Sequence, residues 1–326
     1  MVRIFVYESL SAEAPAAPSG HAGELLAAGV AMRDAIVDDL LRIDGVSVTC
    51  AVGAARGCGA PRRWRAANLA TAAARAGEDA QAFVGRMAAL HDLAWVVAPE
   101  TGGQLARLHA AVGAARWIGC DAASIRCASS KRATLAVLAA AGVPTPLDGA
   151  ASHRGRWLVK PDDGAGCQST RVHRDRAAAL DHLRDDTRVL EPFIEGEALS
   201  ISMIVGADLA RALSFNQQHI GIDAAGRLCD LGVRIAALDA ATDPRIAGLE
   251  ALAAATARAL PGLGGFVGID VVWNEERGAV VIEVNPRVTC AYVGLSGKLG
   301  RNLAADILRL KTAGATNRRS RDGVRA

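Results

Sequence analysis

The stretch GFVGIDVVWNEERGAVVIEVNPR, residues 265–287, decides how this chain is read. It consists of two apolar runs joined by a polar turn, each run interrupted by an acidic or amide group. With the turn centred between Glu276 and Arg277, Asp270 lies opposite Glu283 across an antiparallel hairpin. Asn285 shares the face of Glu283, because strand side chains alternate with a period of two. Ile269, Val271, Ile282 and Val284 then point the other way, into a core. Two carboxylates that face each other repel unless a divalent cation neutralises them, and such oxygen donors suit Mg²⁺ or Mn²⁺. The bland reading is a solvent-facing hairpin with acidic residues. The apolar alternate positions and the Asn-Pro-Arg that follows at once favour a metal site.

Upstream, WLVKPDDGAGCQST (157–170) reads as a strand that delivers Lys160 and opens into a loop carrying Gly164 and Gly166, with Ser169 and Thr170 close behind. Glycine lets backbone N–H groups approach phosphate oxygens, and a lysine at a strand end adds a positive charge for the same anion. Alone, a hairpin loop with a surface lysine would look the same. Before it, Ser129 and Ser130 precede an apolar-periodic run closed by Gly142, Pro144 and Pro146, which predicts a helix over Lys131 to Ala141. Strands are expected near Arg188–Phe193 and Ala198–Val205. Mostly antiparallel strands follow, with helices around Pro244–Leu260 and Asn302–Leu310.

The N-terminal third reads differently. Arg3 to Tyr7 is a buried strand, Glu24 to Arg42 has helical spacing, and Val46 to Val52 is a second strand, so the chain opens as a βαβ unit. A loop with Gly53, Gly57, Gly59 and Pro61 leads to an alanine-rich helical region from Asn68 to Leu90. The run LAWVVAP ending at Pro99 is a further strand, and a parallel sheet covered by helices fits this alternation. Glu8 and Glu100 each follow an apolar strand, where open α/β sheets bind ligands, so either is a candidate for a substrate amine. A helix N-terminal or solvated glutamate is the equal alternative. Gln217, Gln218 and His219 follow a strand, and His219 is a candidate for positioning substrate, although a lone histidine is more often structural. Ser296 and Lys298 are candidates for a substrate carboxylate.

Composition sets the outer limits. The chain has 326 residues, 51% of them hydrophobic, enough for a sizeable core in two or three lobes, and disorder of the whole chain is excluded. Its 37 basic and 34 acidic residues are mixed along the sequence, so no electrostatic footprint for nucleic acid appears. The basic run at Arg318, Arg319, Arg321 and Arg325 is read as a solvated tail. Seven scattered cysteines lack a Cys-x-x-Cys pair, which fits a reduced, cytoplasmic protein. MVRIFVYESL lacks the pattern of a leader and no long uncharged apolar run occurs, so a chain neither exported nor membrane-spanning is expected.

Four motifs in order, SSKRATLAVLAAAGVPTP, WLVKP with its glycine-rich loop, LEPFIEGEALS, and GID followed by VIEVNPR, resemble the ATP-grasp superfamily from about Ser129 to Leu310. The resemblance implies an α/β (α+β clamp) fold, with an N-terminal α/β pre-ATP-grasp lobe at residues 1–126. It implies a small lobe at 127–195, a large lobe with the metal site at 196–312, and a flexible basic tail at 313–326. It assigns Lys131 and Lys160 to the ATP phosphates, with the Gly164–Ser169 loop closing over them, and Glu191, Pro192, Phe193 and Ile194 to the hinge that reads adenine. Glu197 would accept the ribose hydroxyls. Asp270, Glu283 and Asn285 match the Mg²⁺ ligands, and Arg287 matches an arginine facing the reacting carboxylate and phosphate. The activity implied is that of an ATP-dependent, ADP-forming carboxylate-amine ligase working through an acyl phosphate.

Within the superfamily, FVYES, APETGG, CASSKRAT and VNPRVTCAYVGLSGK resemble the tyramine-glutamate ligase family of methanofuran-type cofactor biosynthesis. That implies L-glutamate and tyramine, or a tyrosine-like amine, as small-molecule partners, with no nucleic acid and no membrane. Two alternatives stand beside it: the same fold working on another pair, as in dipeptide ligases or carboxylases, and a non-catalytic ATP-binding protein.

Overall fold

The computed structural model describes residues 1–13, 21–53, 64, 66–164, 166–183 and 185–322, with the backbone alone for 21 and 314–322. The expected α/β clamp is found, as three sheets. The N-terminal part runs β1 (Val2–Glu8), α1 (Ser9–Glu13), α2 (His21–Leu40), β2 (Val46–Ala51), β3 (Leu69–Ala72), α3 (Ala80–Ala89), β4 (Leu93–Val97) and α4 (Gln104–Val112). Helix α5 (Ala122–Ala128) leads to α6 (Lys131–Ala140), then β5 (Trp157–Pro161), β6 (Arg171–His173), α7 (Arg176–His182) and β7 (Arg188–Pro192). The rest comprises β8 (Glu197–Gly206), β9 (Leu209–Ile222), β10 (Leu228–Arg234), α8 (Ile246–Ala259), β11 (Gly265–Asn274), β12 (Gly278–Asn285), α9 (Leu295–Lys298) and α10 (Leu303–Asp322). Helix α10 continues through residues 313–322 of the segment read as a tail; Arg325 lies outside the described residues.

The first sheet is parallel with strand order β3-β2-β1-β4. Its chain path moves outward from β1 through β2 to β3, then returns to the other side of β1. The switch point therefore lies between β1 and β4, whose carboxyl ends carry Glu8 and Glu100. Both faces are buried along β1 and β4, as parallel sheets require, while the edge strand β3 is largely exposed. Phe5, Tyr7, Ala94 and Val96 face α3 and α4, in a core that continues through Trp117 and Ile125 to β8, β11 and α8. Ile4, Val6, Trp95 and Val97 face α2, in a second core that includes Phe266, Tyr292, Leu303 and Ile307 from the other end of the chain. Helix α10 packs on α2, β8 and β11, so the N-terminal lobe is joined to the large lobe on both faces of its sheet.

The Asn68–Leu90 region, expected to be helical throughout, is instead a strand followed by a helix. Its first part is the edge strand β3, held parallel to β2 by Val48 N donating to Asn68 O (2.8 Å) and Val52 N to Ala72 O (2.9 Å). Only after Gly77, at φ +75°, does Asp79 cap α3 by accepting from Ala82 N. Alanine carries no branched or aromatic side chain to mark a strand, so pairing with β2 decides what propensity leaves open. Gly57, Gly59 and Pro61 of the preceding loop lie outside the described residues. Among those residues, no helix is long and apolar enough to cross a membrane, and the six cysteines are all free.

Asp39 of α2 ties the two ends of the chain together. Its buried carboxylate accepts from Tyr292 Oη (2.8 Å) and from Ser296 Oγ, while its carbonyl accepts from Asn302 Nδ2 (2.8 Å). Asp39→Ala leaves two buried hydroxyls without their acceptor, at roughly 1–3 kcal/mol for each unsatisfied group. Urea unfolding is expected to show a clearly lower midpoint, and an unchanged midpoint would refute this tie.

Candidate active site

The hairpin β11–β12 forms the floor. Asp270 pairs with Glu283 and Gly268 with Asn285, the register expected from the sequence, but the route to it differs. Asn274 pairs with Gly278 across a turn centred on Glu276, and a one-residue bulge between Asp270 and Val271 restores the pairing. Ile282 is the extra residue. It stays half-buried outside the core that Ile269, Val271 and Val284 join, and its carbonyl accepts from Lys160 Nζ at 3.5 Å. The bulge thus turns a backbone acceptor toward the site.

Asp270 Oδ1 accepts from Gln218 Nε2 (2.9 Å) and Oδ2 from Asn285 Nδ2 (3.1 Å). Burial pushes its carboxyl well above the usual range, and the facing Glu283 adds to the shift. This strained pair fits a divalent cation: Asp270, Glu283 and the Asn285 amide oxygen are hard donors, and a dication would relieve the repulsion. Among the described residues, no group of three His, Cys, Asp or Glu side chains could hold a metal, so Asn285 is needed to complete the set. Gln218 was the less favoured neighbour of His219 in the sequence. Both lie within β9 rather than after it, and period-two alternation sends Gln218 to Asp270 while His219 is exposed.

Each basic group is held by a carboxylate. Ser130 caps α6 by accepting from Ala133 N, which puts Lys131 on the first turn. Lys131 Nζ lies 3.0 Å from Glu283 Oε1 and donates to Gly164 O. Lys160 lies 2.6 Å from Glu191 Oε1. Glu191 stands opposite Leu158 on β5, which places it diagonal to Lys160 on the same face. Both are buried, and Glu191 Oε2 has no hydrogen-bond partner among the described residues. Arg287 Nε and Nη2 donate to the two oxygens of Glu100, each at 2.9 Å, and Nη1 donates to Val288 O. Burial opposes the Arg287 charge, but Glu100, with Glu283 beyond it, more than restores it and lifts the guanidinium above its ordinary pKa. Among the described residues, three of its five N–H donors are used, which leaves two for an anion.

The glycine-rich loop lies over this floor. Gly166, Cys167 and Ser169 all have left-handed φ, at 65°, 60° and 53°, so two non-glycine residues hold strained backbone. Ser169 O accepts from Arg188 Nη1 (3.1 Å). Burial pushes the Cys167 thiol up to about 12, reinforced by Asp230, Asp270 and Glu283, so it stays protonated and non-nucleophilic.

Other expected residues have different partners. Phe193 N donates to Arg156 O (2.9 Å), Arg156 stacks 4.5 Å from the Phe193 ring, and Ile194 is buried. Pro192, without an N–H, pairs with Trp157 at the end of β7. Glu197 accepts from Gln217 Nε2 (2.8 Å) and from Arg245 Nη1. Glu8 is buried against Gly29 and caps α1, accepting from Leu10 N and Ser11 N. The helix N-terminal reading of Glu8 is therefore what the structure contains, at the switch point beside β4. Ser296 is committed to Asp39, and Lys298 is exposed. The clasp between Glu100 and Arg287 was missed, because nothing local links residues 187 positions apart.

The fold and this constellation place the chain among the ATP-binding clamp proteins. The profile of the ATP-grasp domain matches residues 128–291, just over half of the chain, and that of the pre ATP-grasp 3 domain matches 60–125; the chain belongs to the ATP-grasp family. The tyramine–L-glutamate ligase of Methanocaldococcus jannaschii is 30% identical over 208 residues, which are 63% of this chain and 58% of that enzyme. The match thus spans little more than half of that relative's length. In fold, the chain resembles an ATP-grasp superfamily protein from Archaeoglobus fulgidus (TM-score 0.67, 19% identity, 94% of this chain and 88% of that one). It also resembles the D-alanine–D-alanine ligase of Bacillus anthracis (TM-score 0.63, 14% identity, 99% and 100%).

Asp270→Asn and Glu283→Gln are expected to keep the fold by circular dichroism and to weaken Mn²⁺ binding, followed by electron paramagnetic resonance, by about tenfold or more. Wild-type Mn²⁺ affinity in both variants would remove these residues from the metal site.

Proposed function

We propose that this protein is an ATP-dependent ligase that activates a carboxylate as an acyl phosphate and joins it to an amine, with L-glutamate and tyramine or a tyrosine-like amine as the pair. The observation that carries the proposal is the convergence of Lys131, Lys160 and Arg287 on the Asp270–Glu283 floor, beside the switch point of the first sheet. Phosphoryl transfer requires neutralised phosphates and an acceptor oxygen in line, and these basic groups, together with a divalent cation on the floor, would meet that need. The relative named as a tyramine–L-glutamate ligase supports the substrate pair.

Lys131, Lys160 and the N–H groups of the loop at Gly164 and residues 166–169 hold the ATP phosphates. Glu191 Oε2, buried and without a partner among the described residues, accepts from the adenine amino group beside the Pro192–Ile194 hinge. Glu197, at the start of β8, takes the ribose hydroxyls in competition with Arg245. A divalent cation held by Asp270, Glu283 and Asn285 would offset phosphate charge. The two remaining Arg287 donors hold the reacting carboxylate of glutamate, while Glu8, buried as the cap of α1, takes no part. The carboxylate oxygen attacks the γ-phosphorus and ADP leaves. The amine then attacks the acyl carbon, phosphate leaves and the amine loses a proton. His219, Ser296 and Lys298 take no part in this scheme.

With ATP, Mg²⁺, L-glutamate and tyramine or tyrosine, mass spectrometry is expected to find a γ-glutamyl amide, with ADP, phosphate and amide in equal amounts. A product lacking glutamate, or none with either amine, would overturn the substrate assignment. Arg287→Ala is expected to lower kcat by about 100-fold or more while ATP affinity changes little. The reverse pattern would assign Arg287 to nucleotide binding.

A further inference from the structure

Two consecutive aspartates begin the glycine-rich loop, and they reach in opposite directions. Asp162 turns to the small lobe: its Oδ2 accepts from Ser130 Oγ (2.8 Å), its Oδ1 from Arg132 N (2.8 Å) and its carbonyl from Lys131 N (2.9 Å). It therefore fixes the first turn of α6 and with it Lys131. Asp163 turns to the N-terminal lobe: its Oδ2 accepts from Gly102 N (2.7 Å) and its carbonyl from Thr101 Oγ1 (3.0 Å).

Thr101 and Gly102 directly follow Glu100, whose carboxylate clasps Arg287. The turn is built for this contact. Gly102 and Gly103 both adopt left-handed φ, 60° and 72°, a pair of conformations that side chains rarely take, and Arg107 Nη1 donates to Gly102 O from the next turn. One short segment thus grips Arg287 through Glu100 and the phosphate loop through Gly102.

We propose that Asp163 is a positioning residue that sets the distance between the two halves of the reaction, the phosphate held by Lys131, Lys160 and the loop, and the carboxylate held by Arg287. This deepens the ligase reading and rests on it. The two sets of groups come from different lobes, and in-line transfer tolerates little misplacement, since an error of about 1 Å can cost about 100-fold in rate. Asp163 touches neither reactant in this scheme. Its removal should spoil alignment and leave each binding site intact.

The test compares Asp163→Ala, Asp163→Asn and Thr101→Val with wild type. Asp163→Ala is expected to lower kcat about 10- to 100-fold, with KM for ATP and for glutamate within about threefold and an unchanged melting temperature. Asn retains an oxygen that accepts from Gly102 N, so Asp163→Asn should recover most of the rate, and Thr101→Val should show a smaller loss. Hydrogen exchange followed by mass spectrometry provides a readout independent of substrate, with faster exchange at residues 101–103 expected in Asp163→Ala. Wild-type kcat in Asp163→Ala would overturn the proposal, as would a fall confined to KM. Should the wild-type protein itself not turn over glutamate, the substrate assignment fails instead, and unchanged exchange at 101–103 would then overturn the Asp163 contact independently.

Discussion

Everything at this site depends on one buried ion pair, the two-point clasp of Arg287 by Glu100. Desolvating an arginine and a glutamate is costly, and the cost is offset only where geometry is good and the hydrogen bonds are made. Here two parallel 2.9 Å contacts and a third bond to Val288 O meet that condition. The pair brings the end of the large lobe's hairpin to the switch point of the first sheet, where β1 and β4 present their carboxyl ends.

The same logic recurs around it. Lys131 is held by Glu283 and Lys160 by Glu191, so each cation expected to meet phosphate already sits against a carboxylate. Asp270 is the fourth carboxylate among three cations, and its pKa is raised by burial and by Glu283. Such a site holds its basic groups in place but does not by itself attract a polyanion. Divalent cations resolve this, because they use the surplus carboxylate and bring their own charge to the phosphates. Binding of nucleotide and of metal should therefore be strongly coupled.

Much of this was legible in the sequence where local rules apply. Period-two alternation placed Asp270, Glu283 and Asn285 on one face, and cap residues placed Lys131 at a helix start. The register was right although the turn was not: a three-residue turn and a bulge at Ile282 reproduce what a symmetric two-residue turn would give. Alternation also contained the choice between Gln218 and His219, once both were known to lie inside β9. What stayed hidden was non-local or compositionally silent. Glu100 looked like a substrate ligand until Arg287 was brought to it, and the Asp39 cluster that engages Ser296 joins positions far apart in the chain. Strand β3 was invisible because alanine favours no pattern that marks a strand.

In the proposed reaction a carboxylate oxygen attacks the γ-phosphate of ATP. Oxygen tracing tests it directly. With glutamate carrying ¹⁸O in its γ-carboxyl, the account predicts one ¹⁸O atom in each phosphate released, found by mass spectrometry, and none in the nucleotide. Label in AMP, or phosphate free of ¹⁸O while amide accumulates, would contradict it.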